Sequence, residues 1–127
     1  MKHDHNVVKD NWTQLALQDY KQGLGAFSER MPELVGSFNR FTEECFKPGE
    51  LDEKMKHLMA LAVAVFANDE YCIIYHAKGA LDQGASEGEI MEAVGVAAAF
   101  GGGAAMAQGV TLVQDAVHEL QQQREVH

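Results

Sequence analysis

The chain predicts an all-helical fold, a compact bundle of about six helices, and three observations carry the prediction. Apolar residues recur at helical spacing along most of its length, only two prolines occur (Pro32 and Pro48), and residues that cap helices stand at the joints between the periodic segments. With 127 residues and 46% hydrophobic content, the chain fits a single domain over 1–127. A domain of this size buries roughly two thirds of the surface its unfolded chain exposes, so one core suffices.

The first helix is predicted from about Asn11 to Gly23, with Trp12, Leu15, Leu17 and Tyr20 on its apolar side and Gly23-Leu24-Gly25 as its end. A second begins near Pro32, since proline is tolerated in a first turn, and runs through Leu34, Val35, Phe38, Phe41 and Cys45 towards Phe46, where Lys47-Pro48-Gly49 breaks it. Asp52 suits the N-cap of a third helix, which carries the apolar run Leu58 to Ala67 and stops around Asn68-Asp69. The fourth runs from there to Gly84. Ser86-Glu87-Gly88-Glu89 matches a capping box, so a fifth helix opens at Ser86 and reaches about Phe100. Gly101-Gly102-Gly103 then separates it from a last helix over roughly 104–124, whose polar end Gln121-Gln122-Gln123-Arg124 is expected to fray into solvent. Three adjacent glycines invite comparison with a phosphate-cradling loop, but the preceding strand and the lysine are missing. A tight interhelical turn explains them better.

Charge narrows the class of partner. Nineteen acidic residues against ten basic give a formal net charge of -9, which opposes a phosphate backbone or an anionic bilayer. No nucleic acid and no membrane are therefore expected as partners. The run Leu58 to Ala67 falls short of the ~20 residues that cross a bilayer as a helix. Two cysteines are too few to staple a secreted scaffold, and the first residues lack the apolar centre of a signal peptide, so a cytoplasmic setting is expected.

The most reactive constellation is Asp69-Glu70-Tyr71-Cys72-Ile73-Ile74-Tyr75-His76. It puts a thiol and an imidazole at i and i+4, on one face of a helix and near its start. An imidazole so placed can take the thiol proton or stabilise the thiolate, and the helix N-terminus favours the anion, whereas Asp69 and Glu70 oppose it. A thiol packed among Ile73 and neighbouring helices explains the same pattern without chemistry. His57 joins the candidates if the third and fourth helices form a hairpin near Asn68. It would lie roughly 16 Å down one arm and His76 roughly 10 Å down the other, at ~1.5 Å per residue, an offset that a side chain or water can bridge. Asp69 suits a helix cap as well as a site member.

Cys45 can resolve an oxidised Cys72 only if the second helix packs over the fourth. Cys72, His76, His57 and Asp69 are all competent zinc ligands, yet no metal spacing appears, so neither a metal nor another cofactor is expected. His3, His5, His118 and His127 are read as solvated. Met59, Met91, Met106 and Phe100 fit core or interface positions.

The run from Leu61 to His76, the following stretch to Val94, and Ala97-Ala-Ala-Phe-Gly-Gly-Gly-Ala-Ala-Met106 together resemble the carboxymuconolactone decarboxylase and alkylhydroperoxidase D-like superfamily over about residues 30–115. The resemblance implies an all-helical fold that assembles into trimers or hexamers. In the peroxidase-like branch a glutamate precedes a Cys-x-x-Cys pair by twelve residues, and a histidine follows the second cysteine by four. Cys72 matches that second cysteine and His76 the histidine, while Asp69 stands for the first cysteine and His57 for the glutamate. A disulfide within the motif is therefore impossible. The decarboxylase branch is similar in its helices and histidine but has no cysteine matching Cys72.

Three readings follow. In the first, Cys72 is a redox or peroxidase-like nucleophile, His76 its base, and His57 with Asp69 or Glu70 the polar partners. In the second, His76 and His57 transfer protons on a small carboxylated lactone and Cys72 only shapes the pocket. In the third, the fold is a non-catalytic oligomeric binding module. The expected small-molecule partner is accordingly a peroxide or a small carboxylated lactone.

Overall fold

The computed structural model describes residues 11–126, and among them there is no strand. Helix α1 spans Trp12–Arg30, α2 Pro32–Phe46, α3 Glu53–Ala67, α4 Glu70–Asp82, α5 Glu87–Gln108 and α6 Gln114–Val126. A π-helical turn, Gly109–Val113, links α5 to α6, so the chain traces five continuous helical paths.

Local chemistry places most boundaries. Asp52 accepts the Met55 amide at 2.8 Å and starts α3. Asn68, in the left-handed conformation at φ 59, ends it, because a short polar side chain tolerates that region. Asp69 accepts the Cys72 amide at 3.1 Å and starts α4 at once. Both halves of the Ser86/Glu89 capping box form at the head of α5.

Two expectations fail. Helix α1 runs on past Gly23-Leu24-Gly25 to Arg30, so glycine alone does not stop it: a stop needs a left-handed residue or a following proline, and that proline is Pro32. The end of α6 does not fray. Arg124 donates to the Leu81 carbonyl at 2.6 Å, a second bond beside that from the Gly84 amide, and Gln123 reaches Thr13 Oγ1 at 3.5 Å. The triglycine does break direction, at Gly102 (φ 64, ψ -142), although helical hydrogen bonding continues on either side.

The core lies between α3, α4 and α5. Leu61, Val65, Ile73, Ile74 and Ile90 are fully buried, and Val113 and Val117 close it from the π-turn and α6. Each such side chain contributes roughly 1.5–3 kcal/mol by leaving water. The buried carboxylate of Glu119 accepts the Thr13 amide at 2.6 Å and so anchors the first turn of α1, where amides lack helical partners.

Candidate active site

The α3–α4 hairpin brings His57 and His76 face to face, their Nδ1 atoms 3.0 Å apart. Such a bond requires one ring to donate and the other to accept. Glu53, one turn before His57, sets its Oε2 3.8 Å from His57 Nε2 and so favours a proton on that nitrogen. His57 Nδ1 then accepts, His76 Nδ1 donates, and His76 Nε2 keeps a free lone pair.

Phe46, the last residue of α2, lies across both rings. Its centroid is 5.2 Å from His57 at 26° and 5.1 Å from His76 at 18°. Tyr75 meets His76 edge-on at 5.1 Å and 86°. Behind His57 stands Gly79, where a Cβ would fall 2.5 Å from ring atoms Cε1 and Nδ1. Only glycine lets α4 approach that closely.

Burial sets the charge state. It draws His57 below the ordinary imidazole value, with Glu53 and then Asp82 pulling the other way. His76 is drawn down to about 4, first by burial and then by His57, against a smaller opposing pull from Asp69. Both rings are neutral at pH 7. The Cys72 thiol is pushed up to about 11, chiefly by burial and further by its hydrogen bond to Asp69 and that residue's charge. Its place at the helix start does not outweigh these effects.

Of the residues singled out in the sequence, His57 and His76 therefore meet directly, whereas Asp69 caps α4 above a half-buried Cys72 packed against the core. Among the described residues no hydrogen bond joins Cys72 to His76. Cys45 is exposed on α2, and both cysteines are free. Among the described residues no group of three or more His, Cys, Asp or Glu is arranged to hold a metal ion. His118 is exposed, while His3, His5 and His127 lie outside the described residues.

Phe46, Glu53, Tyr75 and Gly79 were not among the candidates. Glu53 could have been found, since it stands one turn before His57. Gly79 also leaves a signal: a glycine inside a helix costs up to about 1 kcal/mol relative to alanine and so asks for a reason.

The sequence model of the carboxymuconolactone decarboxylase family matches residues 32–115. A protein of Paracoccus denitrificans known only as uncharacterized protein 4 in cox locus is 39% identical over 84 residues, covering 66% of this chain and 76% of that protein. Among solved structures, a carboxymuconolactone decarboxylase family protein from Legionella pneumophila superposes with TM-score 0.78 at 28% identity, covering 88% of this chain and 96% of that one. Another family member, from Thermotoga maritima, superposes with TM-score 0.71 at 28% identity, covering 86% and 90%. For that protein a role in an antioxidative response has been raised. With two thirds of its length matched and the same helical architecture, the chain belongs to the carboxymuconolactone decarboxylase family.

Proposed function

We propose that the protein is a proton-transfer catalyst for a small carbonyl-containing substrate, with His76 as the acting base and His57 as its relay. The observation that carries this reading is the direct 3.0 Å bond between the two Nδ1 atoms. Alone, an imidazole drawn down to about 4 is a weak base at neutral pH. The pair offers the proton a second seat. When His76 Nε2 takes a proton from substrate, its Nδ1 proton can pass to His57, whose imidazolium faces the Glu53 carboxylate. For a carboxylated lactone, cleavage of the C–CO2 bond leaves its electron pair on the carbon conjugated to the carbonyl. The proton His76 Nε2 takes is that of the carboxyl group; CO2 departs, and His76 Nε2–H returns a proton to that carbon while the Nδ1 proton comes back from His57.

The thiol reading ranks second. It is favoured by Cys72 standing in the first turn of α4, one turn from His76, and by the antioxidative role raised for the Thermotoga relative. It requires a thiolate to attack the peroxide O–O bond, releasing water or alcohol and leaving a sulfenic acid for an external thiol to reduce. A thiol pushed up to about 11 is almost wholly protonated at pH 7.

Two assays separate the readings. CO2 release from small carboxylated lactones and consumption of hydrogen peroxide with dithiothreitol are each measured for the native protein, Cys72→Ser and His76→Gln. The proton-transfer reading expects CO2 release that survives Cys72→Ser and falls at least 100-fold in His76→Gln. Peroxide consumption that vanishes in Cys72→Ser, with no CO2 release from any lactone, overturns it.

We also infer a homo-oligomer in a cytoplasmic setting, trimeric or hexameric as the family resemblance implies. Its support is the outward apolar surface, where Phe100 is 82% exposed and Val63 66%. The path 87–124 is long and apolar enough to cross a bilayer by length and composition. The non-helical Gly102 inside it would leave backbone groups unmatched in hydrocarbon.

A further inference from the structure

Among the apolar residues of α2, Phe46 behaves differently. Leu34, Phe38 and Phe41 face outward at 53%, 54% and 64% exposure, whereas Phe46 in the last turn is turned in over both imidazoles. Its direction is fixed just beyond the helix. Lys47 takes up an extended conformation (φ -66, ψ 146), and the Lys56 ammonium donates to its carbonyl at 2.6 Å. Lys56 precedes His57 on α3. The same helix thus carries one of the rings and the tether that holds the cover over it.

We propose that Phe46, held by Lys56, is a positioning residue whose ring excludes water from the His57–His76 pair and keeps the two imidazoles bonded to each other. The proposal deepens the proton-transfer reading and rests on it for its catalytic meaning. Phe46 covers one side of His57 at 26°, and the Gly79 backbone presses on the ring from α4. Near-parallel stacking suits a neutral imidazole, and it occupies the ring faces from which water would approach. Without the Phe46 ring, water can solvate either ring and compete for the shared Nδ1 bond.

The charged and titratable groups around the pair are Glu53 on α3 and Asp69, Cys72 and Asp82 on α4. From α2, Glu44 and Lys47 pair with each other at 3.0 Å. The carboxylates all favour protonation of the rings, so apolar cover is the main influence keeping them neutral.

Histidine titration by NMR tests this in the full chain, with exposed His118 as reference, for the native protein, Phe46→Ala, Phe46→Leu and Lys56→Met. The His76 midpoint should rise by at least one pH unit towards about 6.5 in Phe46→Ala, a tenfold change in proton affinity. It should stay within a few tenths of native in Phe46→Leu, which restores apolar cover, and rise by an intermediate amount in Lys56→Met. Should Phe46→Ala fail to fold, Lys56→Met decides. An unmoved His76 midpoint in the folded variants, or an equal rise in Phe46→Leu and Phe46→Ala, overturns the proposal. Because the readout is ring protonation, failure of the proton-transfer reading would appear in the turnover assays and leave this result intact.

Discussion

Helices α3 to α5 and helices α1 to α2 both carry large apolar side chains but place them differently, the first group within the more apolar sequence. The first group turns Leu61, Val65, Ile73, Ile74 and Ile90 wholly inward, whereas α1 buries only Thr13 and α2 only Val35. Along the hairpin of α1 and α2, Phe27, Leu34, Phe38 and Phe41 are all more than half exposed. The chain therefore contains a region that closes a core within one copy, although Val63 and Phe100 on it also face outward, and an arm that buries almost none of its apolar residues. The candidate site lies where they meet: two imidazoles from the packed region, one covering phenylalanine from the arm.

Truncating a side chain of the packed region should have the largest effect on stability. Ile73→Ala should cost about 2–5 kcal/mol in urea unfolding, through lost transfer energy and the cavity left behind. Phe41→Ala on the arm should cost no more than about 0.5 kcal/mol in a dilute single copy, because that ring is already in water. A comparable loss at Phe41 in dilute protein would show that the arm is packed after all.

The next effect is pH dependence. His57 and His76 both bind protons less readily folded than unfolded, so the unfolded chain takes up more protons between its ordinary value near 6.5 and the folded value, about 4 for His76. Stability from these rings is complete above pH 6.5 and is lost as pH falls towards 4. In urea unfolding across that window the part of the slope due to His76 should stay below the ~1.4 kcal/mol per pH unit of one full proton, since His76 is partly solvated. His76→Gln should flatten it, and a native slope unchanged by that substitution would contradict the assignment.

Smaller effects sharpen the account of α4. Asp69→Ala removes an N-cap and should cost about 1 kcal/mol. Asp69→Asn keeps an accepting oxygen and should change stability by only a few tenths of that. It should also lower the Cys72 thiol from about 11, since the Asp69 hydrogen bond and charge both raise it. Faster alkylation by iodoacetamide near pH 9 checks this, and an unaltered rate in folded Asp69→Asn would count against the Asp69 contribution.

The sequence made the helices legible wherever a side chain itself makes the boundary, as at Asp52, Asp69 and Ser86. It failed at Gly23, because a helix end there depends on backbone conformation rather than on the presence of glycine, and at Arg124, whose acceptor lies 43 positions away at Leu81. The site divided in the same way. His57 and His76 can be brought near each other from the rise per residue of a hairpin, but the pairing of Cys72 with His76 rests on the i, i+4 spacing and the family motif, and neither gives a shared bond. In the sequence Phe46 marks only a helix end. Its place over the rings follows from the turn at Lys47 and the Lys56 tether, which no local pattern in α2 encodes.

The central claim, that the reactive pair is two neutral imidazoles and not a thiolate with an imidazolium, is tested most directly by the nitrogen-15 shifts of the histidine rings at pH 7. The expected spectrum shows His76 protonated at Nδ1 with a bare Nε2, and His57 protonated at Nε2 with its Nδ1 accepting. A doubly protonated His76 alongside an ionised Cys72 would contradict it.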